Sequence, residues 1–178
     1  MLKSPLPLLG FAAYSGTGKT TLLCKLIPLL KTQGIRIAVV KHSHHHFDID
    51  HPGKDSYELR ESGANQIVVA SRKRTAIIIE HPDEAEEPNL ERALNNIHYD
   101  NLDLILVEGF KQAEFPKIEL HRQALDKPYL YPDDKNIIAI ALDHKLETSN
   151  TNKKPTTLDI NKPQEIVDFI VENVLTNT

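Results

Sequence analysis

The stretch Ala13-Tyr14-Ser15-Gly16-Thr17-Gly18-Lys19-Thr20-Thr21 follows an apolar run, residues 6–13, and opens a helical pattern over residues 19–31. A strand, a glycine-rich turn and a helix, in that order, are the setting in which a phosphate-binding loop works. Gly16 and Gly18 let the backbone curl so that successive N–H groups face an anion. The first turn of the helix adds a field that favours phosphate. Lys19 is placed to reach the β- and γ-phosphates of a nucleoside triphosphate, and the Thr20 hydroxyl to ligate Mg²⁺. Ser15, Gly16, Thr17, Gly18, Lys19, Thr20 and Thr21 therefore form the candidate nucleotide-binding set. Where the motif usually carries its first glycine this chain has Ala13, which the turn accommodates if φ there stays negative.

Outward from this turn the pattern repeats. Leu22, Leu23, Leu26, Leu29 and Leu30 mark the apolar side of the helix, and Gly34 marks its end. Pro28 lies inside and is expected to kink or shorten it. Residues 35–40 read as a second strand, followed by a loop rich in His and Asp over residues 42–52. Asp55 and Glu58 have capping-box spacing, which predicts a short helix to about Gly63. Residues 67–70 and 76–79 read as two strands around the basic turn Ser71-Arg72-Lys73-Arg74, and residues 81–88 as an acidic loop. Leu90, Ala93, Leu94 and Ile97 predict another helix. Residues 102–107, 117–120 and 137–141 are further strands. Ile166, Val167, Ile170 and Val174 share one face of a C-terminal helix, with Pro163 near its start. Strands alternating with helices predict an α/β fold. We expect a P-loop NTPase-like, mostly parallel, doubly wound sheet with flanking helices and a β-hairpin insertion.

The chain has 178 residues, which favours a single nucleotide-binding domain over residues 1–178. A net charge of −4 argues against a general nucleic-acid binder, which would be basic. The single cysteine, Cys24, excludes an intramolecular disulfide and fits a reducing compartment. Its position on the first helix predicts a small buried core residue. Residues 1–10 are too short and too Pro-rich for a signal peptide, and no apolar run reaches the ~18 residues that span a bilayer. A cytoplasmic protein without membrane contact is expected.

A phosphate loop needs an acidic partner at the end of a neighbouring strand. Leu104-Ile105-Leu106-Val107-Glu108-Gly109 supplies Glu108 at the carboxyl end, where open α/β sheets bind ligands. Asp103 begins the same strand, falls at the opposite edge and is assigned no chemistry. The loop Lys41-His42-Ser43-His44-His45-His46-Phe47-Asp48-Ile49-Asp50-His51 opens on the carboxyl edge too. Asp48 and Asp50 can position a water or meet Mg²⁺ through water. Asp48 joins Lys19 and Glu108 in the candidate catalytic set, and Asp50 joins Thr20 and Glu108 in the metal set. The histidines are soft enough for Zn or Ni, but their spacing is not that of a closed zinc site. Lys54 and Ser56 suit either a second anion or a plain helix cap. Arg72, Lys73, Arg74, Lys111, Lys117 and Arg122 read as solvated charges that an anionic partner could meet.

Several blocks in order give the chain a family likeness. They are Ser-Gly-Thr-Gly-Lys-Thr-Thr at 15–21, Lys-His-Ser-His-His at 41–45, Asp48 with Asp50, and Pro-Gly-Lys-Asp-Ser at 52–56. Leu-Val-Glu-Gly-Phe-Lys at 106–111 and Pro-Lys-Ile-Glu-Leu-His-Arg at 116–122 complete the series. The chain resembles the molybdopterin-guanine dinucleotide biosynthesis protein B family, small GTP-binding adapters of molybdenum-cofactor assembly. Ala13 departs from the pattern, and so does His46, which stands where an acidic residue is expected. The resemblance implies GTP binding with weak hydrolysis, a homodimer, and a guanylyltransferase partner that joins GMP to molybdopterin. Molybdopterin itself is an implied ligand. Guanine preference comes only from the resemblance: the chain has no Asn-Lys-x-Asp sequence, and Asp143 is its one candidate base contact. The residues leave other readings open. A small-molecule kinase would use Asp48 or Asp50 as base. A metal-delivery GTPase would use His42, His44, His45 and His46. A non-catalytic dimer would keep nucleotide as a structural ligand.

Overall fold

Leu8–Ala12 forms the strand that leads into the glycine-rich turn, β1, and all five of its residues are buried. The structure is a computed structural model that describes residues 4–43, 47–81, 87–146 and 155–176. The acidic stretch 82–86 and the histidines His44, His45 and His46 lie outside the described residues. The chain divides into two compact units, residues 1–42 with 88–178, and residues 43–87.

In the first unit β1 is followed by α1 (Lys19–Thr32) and β2 (Ile37–Lys41). After the second unit come α3 (Leu90–Leu94), β5 (Leu104–Glu108), β6 (Lys117–His121), β7 (Ile137–Leu142), β8 (Thr156–Asp159) and α4 (Pro163–Ile170). The second unit holds α2 (Asp55–Glu61) and the strands β3 (Gln66–Ala70) and β4 (Thr75–Ile79). Six strands form one sheet in the order β2-β5-β1-β6-β7-β8, every pairing parallel. The antiparallel hairpin β3–β4 is the expected insertion. Because β1 is central, with β5 on one side and β6 on the other, its carboxyl end is the point where the strand order reverses.

Strands buried on both faces carry continuous apolar sequence rather than alternation. One face, with Leu9, Phe11, Leu104, Leu106, Ile118, Leu120, Ala139 and Ala141, packs under α1 and α4. The other, with Leu8, Ile105 and Val107, packs on Leu90 and Leu94 of α3 and on Phe110 and Phe115. In α1 the buried residues are Leu22, Leu23, Leu26 and Leu30. Burying four leucines at roughly 2 kcal/mol each outweighs the ~3 kcal/mol that an interior proline costs. The helix accordingly runs four residues past Pro28 to Thr32 instead of stopping there.

Two further expectations need correction, and one strand had no counterpart among them. Cys24 is exposed, because it falls outside the stripe that Leu22, Leu26 and Leu30 set at helical spacing. Asp55 is the first residue of α2 and not its cap; Lys54 holds the cap position, with no side-chain hydrogen bond. β8 was not expected, since only Leu158 of its four residues is buried. At the C-terminus Pro163 begins α4 as expected, and the chain continues into a π-helical turn, Val171–Leu175.

Candidate functional site

The turn between β1 and α1 is built as the glycines predict. Gly16 has φ 82° and Gly18 φ 92°, the left-handed region that side chains resist. Ala13 is not among the positive-φ residues; its methyl is buried in the core, which is why alanine serves there. Thr17, 2% exposed, pins the turn from inside: its hydroxyl donates to Tyr14 O at 2.8 Å. Ser15, Gly16, Thr20 and Thr21 stay exposed, so the turn opens to solvent. Gly18 caps α1 without a side-chain bond, which leaves the first helical N–H groups available to an anion. Lys19 is half-buried at the start of the helix. Burial holds its ammonium below the ordinary lysine range; Glu108 opposes this shift, and Lys111 and Lys41 add to it.

Glu108 ends β5 beside this turn. Thr20 Oγ1 donates to Glu108 Oε1 at 3.4 Å, and Lys41 Nζ lies 3.8 Å from Glu108 Oε2. Lys41 is the register partner of Glu108 across β2 and β5, so the parallel pairing itself places the two charges side by side. The sequence pointed to Glu108; the role of Lys41 could be seen only once β2 was known to pair with β5. Just beyond, His42 N donates to Glu108 O at 2.8 Å, and the His42 ring stacks on Phe110 at 4.8 Å. Gly109 has φ 92°, and a Cβ there would stand 2.6 Å from His42 Cβ. Phe110 itself has φ 51°, strain of the kind that accumulates around functional sites. Asp103 is at the opposite edge, as expected. Arg36 binds it through side chain and backbone and lowers its pKa to about 2.

On the other flank, Arg122 follows β6 and donates from Nε to Thr17 O at 3.0 Å. Its Nη1 lies 3.4 Å from Asp143 Oδ2. Asp143 Oδ1 accepts from Gln123 N at 3.0 Å and lies 2.9 Å from His144 Nδ1. Burial pushes the Asp143 carboxyl up, but the bonds from His144, Gln123 and Arg122 leave it below its usual value. Asp143 is thus engaged within the chain. Lys117 also differs from expectation. It is 2% exposed, and Nζ donates to Asp134 Oδ2 at 2.9 Å and Lys111 O at 3.1 Å, so it is a paired interior charge and no surface cation. Glu119, two residues on and on the same side of β6, accepts from Leu130 N and Tyr131 N, both at 2.8 Å.

Asp48 and Asp50 belong to the second unit. Within it Arg60 binds both: Nη2 is 3.2 Å from Asp48 Oδ1 and 3.3 Å from Asp50 Oδ1. Asp50 Oδ2 is buried and, among the described residues, has no hydrogen-bond partner. Also among the described residues, no group of three or more His, Cys, Asp or Glu side chains is arranged to hold a metal ion.

A parallel sheet with an open, glycine-built turn after its central strand, and a carboxylate closing on that turn from the next strand, defines a P-loop NTPase-like α/β protein. The sequence profile of the family described as molybdopterin guanine dinucleotide synthesis protein B matches residues 8–143. A molybdopterin-guanine dinucleotide biosynthesis adapter protein of Escherichia coli (strain K12) is 50% identical over 171 residues, 96% of this chain and 94% of that protein. One of Haemophilus influenzae is 44% identical over 169 residues, 95% of this chain and 90% of that protein. A crystal structure of molybdopterin-guanine biosynthesis protein B superposes with a TM-score of 0.69 at 25% identity, covering 93% of this chain and 98% of that one. The chain belongs to the molybdopterin-guanine dinucleotide synthesis protein B family of adapter proteins. None of the helices among the described residues is long and apolar enough to cross a membrane.

Proposed function

We propose that this protein is a GTP-binding adapter with weak GTPase activity. It assists a guanylyltransferase in converting molybdopterin cofactor to molybdopterin-guanine dinucleotide. One observation carries the reading. An exposed turn with two left-handed glycines, a half-buried lysine and a threonine hydroxyl in reach of a carboxylate are brought together by elements far apart in sequence. These groups suit a triphosphate and a hard, oxygen-seeking cation.

In this reading the amides of residues 15–21 bind the phosphates, and the Lys19 ammonium neutralises the charge beside them. Thr20 Oγ1 and Glu108 would hold Mg²⁺, whose contribution is to stabilise negative charge on the phosphate oxygens. Glu108 also orients the attacking water. In the second unit Asp50 is the proposed metal-contacting carboxylate, supported by its buried Oδ2, which has no hydrogen-bond partner among the described residues. Asp48, paired with Arg60 in the second unit, is a second proposed group for positioning a water.

The proposal includes a cytoplasmic homodimer. The hairpin face that carries Val68, Ile77 and Ile79 is exposed, 57%, 41% and 40%, and a second copy would cover such apolar surface. Equilibrium binding of GTP and ATP with Mg²⁺, with and without the guanylyltransferase, tests the reading. Binding of GTP in preference to ATP, strengthened by the partner, is expected. A triphosphate and Mg²⁺ soaked into crystals that left the turn of residues 15–21 empty would end it.

A further inference from the structure

We infer that Arg122 is a positioning residue for the phosphate loop: it draws the Thr17 carbonyl outward and thereby turns the Gly18 N–H inward, toward the bound anion. The inference rests on the nucleotide reading above and extends it to a residue 105 positions away in the chain.

The argument starts from the peptide unit. A trans peptide carries its C=O and N–H on opposite sides. The oxygen of Thr17 accepts from Arg122 Nε at 3.0 Å, so the Gly18 N–H faces away from Arg122. Flipping this peptide changes ψ of Thr17 and φ of Gly18. Glycine accepts either sign of φ, so the backbone alone does not choose the orientation. The Thr17 side chain is bonded to Tyr14 O and fixes its own residue, not the peptide that follows. Arg122 supplies the missing constraint. Its charge also polarises the peptide and makes the Gly18 N–H a better donor.

The guanidinium is itself aimed. Asp143 lies against its Nη1, and Asp143 is in turn held by Gln123 N and His144 Nδ1. The turn after β1 is thus tied to the ends of β6 and β7, on the side of the sheet opposite Glu108. Asp143, which the sequence offered as a base contact, acts here through Arg122.

Equilibrium binding of GTP and Mg²⁺ to the full chain tests this, with wild type, Arg122→Ala, Arg122→Lys, Asp143→Ala and the Arg122→Ala/Asp143→Ala pair. Losing a charge-assisted hydrogen bond predicts affinity about tenfold weaker in Arg122→Ala. Methylguanidinium added to Arg122→Ala should recover most of that loss, and Arg122→Lys should fall between. Asp143→Ala should weaken binding by about threefold alone, a fraction of the loss of the direct bond, and by nothing further beside Arg122→Ala. Binding by Arg122→Ala within twofold of wild type overturns the inference, as does a loss that methylguanidinium leaves untouched. If Arg122→Ala fails to fold, Asp143→Ala decides: wild-type affinity there also overturns it. Wild-type protein that binds no nucleotide sinks the nucleotide reading instead, a result separate from these.

Discussion

Replacing Gly109 with alanine should destabilise the protein by about 2–4 kcal/mol, and the structure divides that figure into two parts. The first is backbone conformation. Gly109 has φ 92°, where an L side chain costs ~1–2 kcal/mol; alanine's lower entropy in the unfolded chain returns about 0.5 kcal/mol. The second is overlap. The new methyl would sit 2.6 Å from His42 Cβ and 3.5 Å from His42 Cα. A Cβ cannot swing away by rotation, so the ends of β2 and β5 must separate, and the 2.8 Å bond from His42 N to Glu108 O stretches. Forced overpacking of this kind costs ~1–3 kcal/mol. Gly34→Ala is the control: φ is 81° there, but nothing lies within 4 Å of the added carbon. That variant should lose only ~1 kcal/mol. Urea unfolding followed by circular dichroism gives both values, and in a chain of this size the midpoint temperatures should fall by about 5–15 °C and about 3 °C respectively. Equal losses in the two variants would refute the argument, since the contact with His42 would then be contributing nothing.

Lys19→Ala should abolish nucleotide binding while unfolding near the wild-type midpoint; unchanged GTP affinity by calorimetry would remove the turn from the function. Glu108→Gln should slow GTP hydrolysis more than it weakens binding, as read by phosphate release. It should also lower the Lys19 pKa further, because Glu108 is the neighbour that opposes the lowering; a ¹³C-methylated lysine titration that moved upward would contradict this. Glu119→Ala should cost roughly 2–4 kcal/mol in chemical denaturation, since it strands the Leu130 and Tyr131 N–H groups away from their acceptor; a loss under 0.5 kcal/mol would mean that water replaces the carboxylate. Asp103 has its pKa lowered from 3.8 to about 2, so its contribution is complete above pH 3.8 and disappears as pH falls through 2. In Arg36→Ala that acid-side slope should vanish, and a pH–stability profile identical to wild type would show the pair to be inert.

The elements that could be read from sequence are those whose signals are local. The turn at 15–21 needs only its glycines and its neighbours, and the run from Leu104 to Glu108 announces a strand by apolar continuity. Where a residue's environment depends on a distant partner, sequence was silent or misleading. Lys117 looks like surface charge until Asp134, 17 residues away, is placed beside it. Arg122 looks like another exposed cation until β6 lies next to β1. Asp48 and Asp50 read as free carboxylates because their partner, Arg60, sits on a helix whose packing the sequence does not reveal. Cys24 was lost by phase alone, one position past Leu23 on a helix whose buried side was otherwise correctly identified. β8 escaped because an edge strand with Thr156 and Thr157 exposed has no apolar run to detect.

The central place of β1 sets an order of events during synthesis. Leu8 faces Ile105, and Gly10 faces Lys117, so β1 has no strand partners until β5 (Leu104–Glu108) and β6 (Lys117–His121) have been made. Pairings of such long range close slowly, because the intervening chain must first be gathered in. The glycine-rich turn after β1 is therefore among the last parts of this sheet to acquire its final shape, and a fragment lacking β5 and β6 would carry the sequence of that turn without the strands that hold it.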